Sequence, residues 1–124
     1  MKIQNQDQDV AVILLAEALC QQILDVSAKF PVFLRHSLVS RIDQSVLDLL
    51  MHLNSARFLA VDERLATLKL ADASLNFLRI LIRISFGRKL ISIGNLEILS
   101  NKMNEIGKMI HGWMKYTQSQ MGSI

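Results

Sequence analysis

One cysteine, one proline, one tryptophan and one tyrosine in 124 residues leave this chain few devices for cross-linking itself, breaking its helices or doing chemistry. The lone Cys20 excludes an intramolecular disulfide and a thiolate-rich zinc site, and a chain so poor in cysteine fits a reducing compartment. Cys20 reads as a small buried hydrophobe. With Pro31 and five glycines as the only strong breakers, long helices are expected in place of strands and tight turns. His36, His52 and His111 fall on three separate expected helices, so no two share the i, i+4 spacing of a helical metal pair, and no Glu-x-x-His pair exists. No glycine-rich phosphate loop or nucleophile signature appears. The apolar run at 10–16 is short and follows Asp7 and Asp9, unlike a secretory leader. No run approaches the ~18 consecutive apolar residues that span a bilayer. The expectation is a cytoplasmic protein that is not an enzyme, holds no metal or cofactor, does not enter a membrane and works by binding.

What the chain has is apolar bulk and unevenly placed charge. Apolar residues make up 51% of it, enough for a real core in one domain. Such a fraction fits either a leucine-rich bundle core or an oligomer that covers surplus apolar surface. Residues 1–28 carry a formal charge of −3 and residues 29–124 carry +6. A basic body suits an anionic partner such as nucleic acid, although a charge of this size also fits an ordinary solvated surface.

The periodicity predicts four helices within residues 9–117, flanked by a flexible N-terminus (1–8) and a flexible C-terminal tail (118–124). The first carries Ile13, Leu14, Glu17, Cys20, Leu24 and Ser27 at three- and four-residue steps. Pro31, excluded from a helix interior but welcome in a first turn, opens the second. Its stripe is Leu34, Leu38, Ile42, Ser45, Leu49, Leu53 and Ala56. Asp62 is the expected N-cap of the third, whose stripe is Leu65, Leu68, Asp72, Leu75, Arg79 and Ile82. Gly87 should supply the left-handed residue that ends it. The fourth starts near Ser92 and runs to about Tyr116 with Leu96, Leu99, Met103, Ile106, Ile110 and Trp113 on one face. Short links favour antiparallel neighbours, so the expected fold is all-α, an up-down-up-down four-helix bundle.

Several residues interrupt this pattern. Asp72 and Arg79 sit within a stripe, and Glu17 and Arg41 lie at or near one; such charges must either pair as a buried polar network or lie at an interface. Arg79, Arg83, Arg88 and Lys89 form a one-sign track, with no acidic residue between Asp72 and Glu97. Arginine's planar fork suits phosphate or an acidic protein surface equally. Gly107 and Gly112 each cost a helix interior about 1 kcal/mol. They are either tolerated or mark a close approach beside Met109 and Trp113, within the bundle or between subunits.

One combination is more specific. Leu70-Ala71-Asp72-Ala73-Ser74-Leu75, then Leu78-Arg79 and Leu81-Ile82-Arg83, and later Glu105-Ile106-Gly107-Lys108-Met109-Ile110 with Gly112-Trp113, resemble the accessory variability determinant (Avd) proteins of diversity-generating retroelements. The Phe30-Pro31 break fits the same family, while the first helix matches only in pattern. The resemblance implies a four-helix bundle assembled as a homopentameric ring with a basic surface. It implies association with the element's reverse transcriptase and template RNA (with DNA or an RNA/DNA hybrid as further candidates) in support of mutagenic cDNA synthesis and retrohoming. Arg79, Arg83, Arg88 and Lys89 would then make the contact. The modest net charge departs from the more basic members. The competing reading is a four-helix bundle of the ribosomal-RNA intervening-sequence type, or another protein–protein interaction module, with no reverse transcriptase partner.

Overall fold

The computed structural model describes residues 2–122, with side chains from Asp9 to Gly122. Four helices carry the fold: α1 (Lys2–Ser27), α2 (Ser40–Ala56), α3 (Val61–Gly87) and α4 (Ile93–Gly122), with no strand among the described residues. Each packs on its neighbours in the order α1–α2–α3–α4, and α4 closes the bundle against α1.

Pro31 does what its missing N–H dictates. The chain leaves α1 in a turn, and Val32–Leu34 form one 3₁₀ turn and Arg35–Val39 one π turn before α2 begins. The corner is pinned where Ser27 Oγ donates to Asp43 Oδ1 at 2.6 Å. At the start of α3 the cap differs from expectation. Ala60 holds the extended N-cap conformation without a side-chain bond, and Asp62 lies two residues further on in the first turn, exposed beside Glu63. There both carboxylates favour the positive end of the helix dipole without capping an N–H. The end of α3 also differs. No glycine has positive φ, and Lys89 takes the left-handed conformation at φ 63°. Lys89 N–H donates to Phe86 C=O and Leu90 N–H to Ser85 C=O, each at 2.9 Å, the paired bonds of a Schellman end. Gly87 is the last helical residue, two positions before the turn needs it. At α4, Ser92 is the N-cap, its hydroxyl accepting from Asn95 N–H at 3.0 Å.

The core is one cluster. The expected stripes of α2, α3 and α4 supply Ile42, Leu49 and Leu53, then Leu68, Leu75 and Ile82, then Leu99, Met103, Ile106 and Ile110. In α1 the phase is different. Val12, Ala16, Leu19 and Ile23 are buried with Cys20, whereas Leu14 is 58% exposed and Leu24 and Glu17 are not core residues. The helix is apolar around most of its girth, so several stripes were available to it. Its segment Asp9–Ser27 is long and apolar enough to cross a bilayer by length and composition, with 33% of it buried inside the bundle.

α4 continues through Gly122, five residues into the expected tail. Thr117 Oγ1 donates to Trp113 C=O at 2.8 Å, and Gln120 Oε1 accepts from Arg64 Nη1 at 3.0 Å, which anchors the last turns to the start of α3. The final two residues, and the side chains of the expected flexible segment 1–8, lie outside the described residues; the backbone of α1 is helical from Lys2.

Candidate functional site

The α3–α4 boundary holds most of the singled-out residues, and its polar contacts form a ladder. Arg64 meets Gln120, Asp72 Oδ1 lies 3.1 Å from His111 Nε2, and Arg79 Nη2 donates to Met103 C=O at 3.1 Å. Rising position on α3 pairs with falling position on α4.

Arg79 is the most constrained of these. Its Nη1 donates to Asn76 Oδ1 at 2.8 Å, and its Nε is buried without a partner. The guanidinium reaches α4 because Gly107 has no side chain: a Cβ there would stand 2.6 Å from Arg79 Nη2 and 3.4 Å from Leu75 Cδ2. Gly107 is therefore a site of close approach, and what approaches is an arginine head rather than a helix backbone. Gly112 is exposed with open space around it, so it makes no close approach within this chain. Trp113 is a core residue, buried among the bundle's apolar side chains.

Beside this staple runs a shallow groove lined by Arg79, Ile82, Arg83, Ser100, Met103 and Asn104. Arg83, one turn beyond Arg79, is exposed, and Arg88 and Lys89 continue the track into the exposed turn after α3. The four cations are thus not equivalent. Three are presented to solvent, and one is half-buried and bonded across the helix pair.

The expected network of Asp72, Arg41 and Glu17 is not formed. Asp72 turns to His111, whose Nε2 lies 3.1 Å from its Oδ1, a contact that becomes an ion pair only with the imidazole protonated. Arg41 is exposed at the α2–α3 groove near Ala73, Ser74 and Phe77. Glu17 lines a separate α1–α2 groove with Leu47 and Met51. Each charge keeps enough solvent or a local partner to escape the cost of burial. The sequence reading missed His111 as a partner and Arg64 as a tie. Neither lies near its partner in the chain, and no short-range spacing announces the pair. Among the described residues, no group of three or more His, Cys, Asp or Glu side chains stands close enough to hold a metal ion. Cys20 is buried, and burial, with the Asp43 charge adding to it, pushes its thiol up from the usual range, away from the reactive thiolate.

Fold and surface together define a class: an all-α four-helix bundle with a stapled helix pair and a solvent-facing arginine–lysine track. The chain belongs to the bAvd-like family, whose model matches residues 3–117, nearly the whole bundle. Curated proteins give no match to it.

Proposed function

We propose that the protein is a non-catalytic accessory subunit of a diversity-generating retroelement. In this reading it acts in the cytoplasm, binds the element's reverse transcriptase and template RNA, and supports mutagenic cDNA synthesis. The observation that carries the reading is the acid-free track of exposed Arg83, Arg88 and Lys89, set on a helix pair joined by side-chain hydrogen bonds in a chain of the bAvd-like family. Arg79 belongs to the same track as the residue that ties α3 to α4 beneath it. The arginines supply fork-shaped donors for phosphate or carboxylate, and a fixed helix pair spares the ordering cost of binding.

An up-down-up-down arrangement goes with this reading and is supported by the contacts. Ser27 at the end of α1 meets Asp43 at the start of α2, and the α3–α4 ladder runs in opposite chain directions. Arg41 and Phe77 line one groove although each lies about 23 Å along its helix from the short α2–α3 link. A ring of copies is supported by two separate exposed apolar faces. One is Leu14, Leu47 and Met51 on α1 and α2, and the other is Leu70, Phe77, Ile80 and Ile84 on α3. Two unlike faces on one chain join head to tail, the geometry that closes into a cyclic homo-oligomer such as a pentamer.

The test is co-purification with the reverse transcriptase of a diversity-generating retroelement. Reversing Arg83, Arg88 and Lys89 to glutamate should abolish capture while the far-ultraviolet circular dichroism stays helical. Undiminished capture by that variant would remove these residues from the contact.

A further inference from the structure

Charge in this protein is segregated more sharply than its net value suggests. Residues 26–42 contain Lys29, Arg35 and Arg41 and no acidic residue; residues 73–96 contain Arg79, Arg83, Arg88 and Lys89 and no acidic residue. The rest of the chain holds every one of the 11 Asp and Glu and is net negative. In the antiparallel arrangement both acid-free segments fall at one end of the bundle: the first turns the corner from α1 to α2, and the second from α3 to α4.

That end also carries bare aromatic surface. Phe33 is 78% exposed and Val32 71%, on the single 3₁₀ turn that Pro31 starts, and Phe86 is exposed at the other corner. Phe33 stands between Lys29 and Arg35 in the sequence, all three exposed. An aromatic ring without a core role, flanked by cations, presents a bare π-face beside positive charge.

We infer that this end, built from Lys29, Phe33 and Arg35 at one corner and Arg83, Arg88 and Lys89 at the other, with Asp25, Asp43 and Glu97 at its margin and Asp43 engaged by Ser27, is a docking face for single-stranded RNA. The proposal rests on the RNA-binding part of the function proposed above and assigns it a place, including a corner outside the arginine track. Phosphates meet the cations and an unpaired base stacks on Phe33, the pairing of charge and π-face by which proteins hold single strands without reading them. The distribution of charge favours a strand over a bilayer. The cations do not lie in one plane at the tip but continue along the helix sides, from Arg35 to Arg41 and from Arg88 back to Arg83, each over about 8 Å of axis. A flat membrane surface would touch only the rim, whereas a strand can follow the row.

The experiment measures fluorescence anisotropy of a labelled oligouridylate with the full chain, alongside inorganic polyphosphate and phosphatidylserine vesicles. Phe33→Ala should weaken the oligonucleotide about fivefold or more, since one stacked base is worth about 1–3 kcal/mol, and leave polyphosphate unchanged. Lys29→Ala with Arg35→Ala should lower the slope of log affinity against log salt by about 1.4, at about 0.7 per phosphate for a single strand. All three substituted side chains are exposed, so the fold should persist, and circular dichroism checks this. If the wild-type chain binds the oligonucleotide and these variants bind it equally, the end face is refuted while RNA binding stands. If the wild-type chain binds no RNA, both fall. Phe33-dependent binding to vesicles with RNA binding unmoved would reassign the face to a membrane and overturn the proposal.

Discussion

At the residue scale, the pair that matters most is Arg79 and Gly107, which lie 28 positions apart and explain each other. Gly107 gives up helix propensity so that a guanidinium can cross to the Met103 carbonyl. Replacing it by alanine gains about 1 kcal/mol of propensity but forces Arg79 Nη2 off a charge-assisted bond of similar or greater worth. Gly107→Ala in the natural chain should therefore be neutral or destabilising by about 1 kcal/mol, because the two terms nearly cancel. In an Arg79→Ala background only the propensity remains, and the same change should stabilise by about 1 kcal/mol. The double-mutant cycle, read by urea unfolding, should show a coupling of about 1–2 kcal/mol. Strict additivity would mean that the two do not share a site. The same logic separates the four track cations: Arg79 serves the fold before it serves any partner, and Arg83 is free to do the reverse.

At the scale of the element, α1 shows where local pattern stops being informative. Helices α2, α3 and α4 alternate apolar and polar faces clearly enough that their buried stripes follow from spacing. The second helix even tolerates a 3₁₀ and a π turn before Ser40 without losing register over Ile42, Leu49 and Leu53. Residues 10–16 of α1 are apolar on nearly every face, so spacing alone cannot choose between Leu14 and Val12. The choice of face brings Asp9 into a partly desolvated position, where burial raises its carboxyl above the ordinary range and the nearby Arg64 and Arg57 only partly offset this. A carboxyl with a raised folded pKa binds its proton more tightly when folded, so stability falls as pH rises from 3.8 through the folded value. Asp9→Asn should consequently raise Tm at pH 7, with the advantage shrinking as pH falls and gone below 3.8. Thermal melts of both proteins at pH 7 and pH 3.5 give the comparison. An equal shift at both values would assign the effect to something other than ionisation.

At the scale of the whole molecule, the surface is more informative than the core. Of five phenylalanines only Phe30 is buried; Phe33, Phe58, Phe77 and Phe86 are exposed. Phe58 has a local partner in Arg57, whose guanidinium carbon lies 5.2 Å from its ring centroid. Phe77 instead continues the outer stripe of α3 with Leu70, Ile80 and Ile84, an apolar surface that a monomer would leave wet. Sedimentation velocity should show a single species several times the 14.0 kDa chain mass. Phe77→Glu with Ile80→Glu should reduce it to a monomer of unchanged helicity, because each introduced charge would be desolvated at the contact. A wild-type monomer at micromolar concentration would remove the ring from the proposed function.

The sequence by itself determined the helical class, the break at Pro31, the start of the fourth helix near Ser92, the stripes of three helices and the family. All of these are written in neighbours a few positions apart, where backbone sterics and 3.6-residue periodicity act. Only the tertiary structure decided which face of α1 is buried, that Asp72 answers to His111 rather than Arg41, that Lys89 and not Gly87 takes the left-handed turn, and that Gly107 exists for Arg79. Each of those outcomes depends on which groups packing brings within a few ångströms, and residues distant in the chain carry no local sign of the partner they will meet.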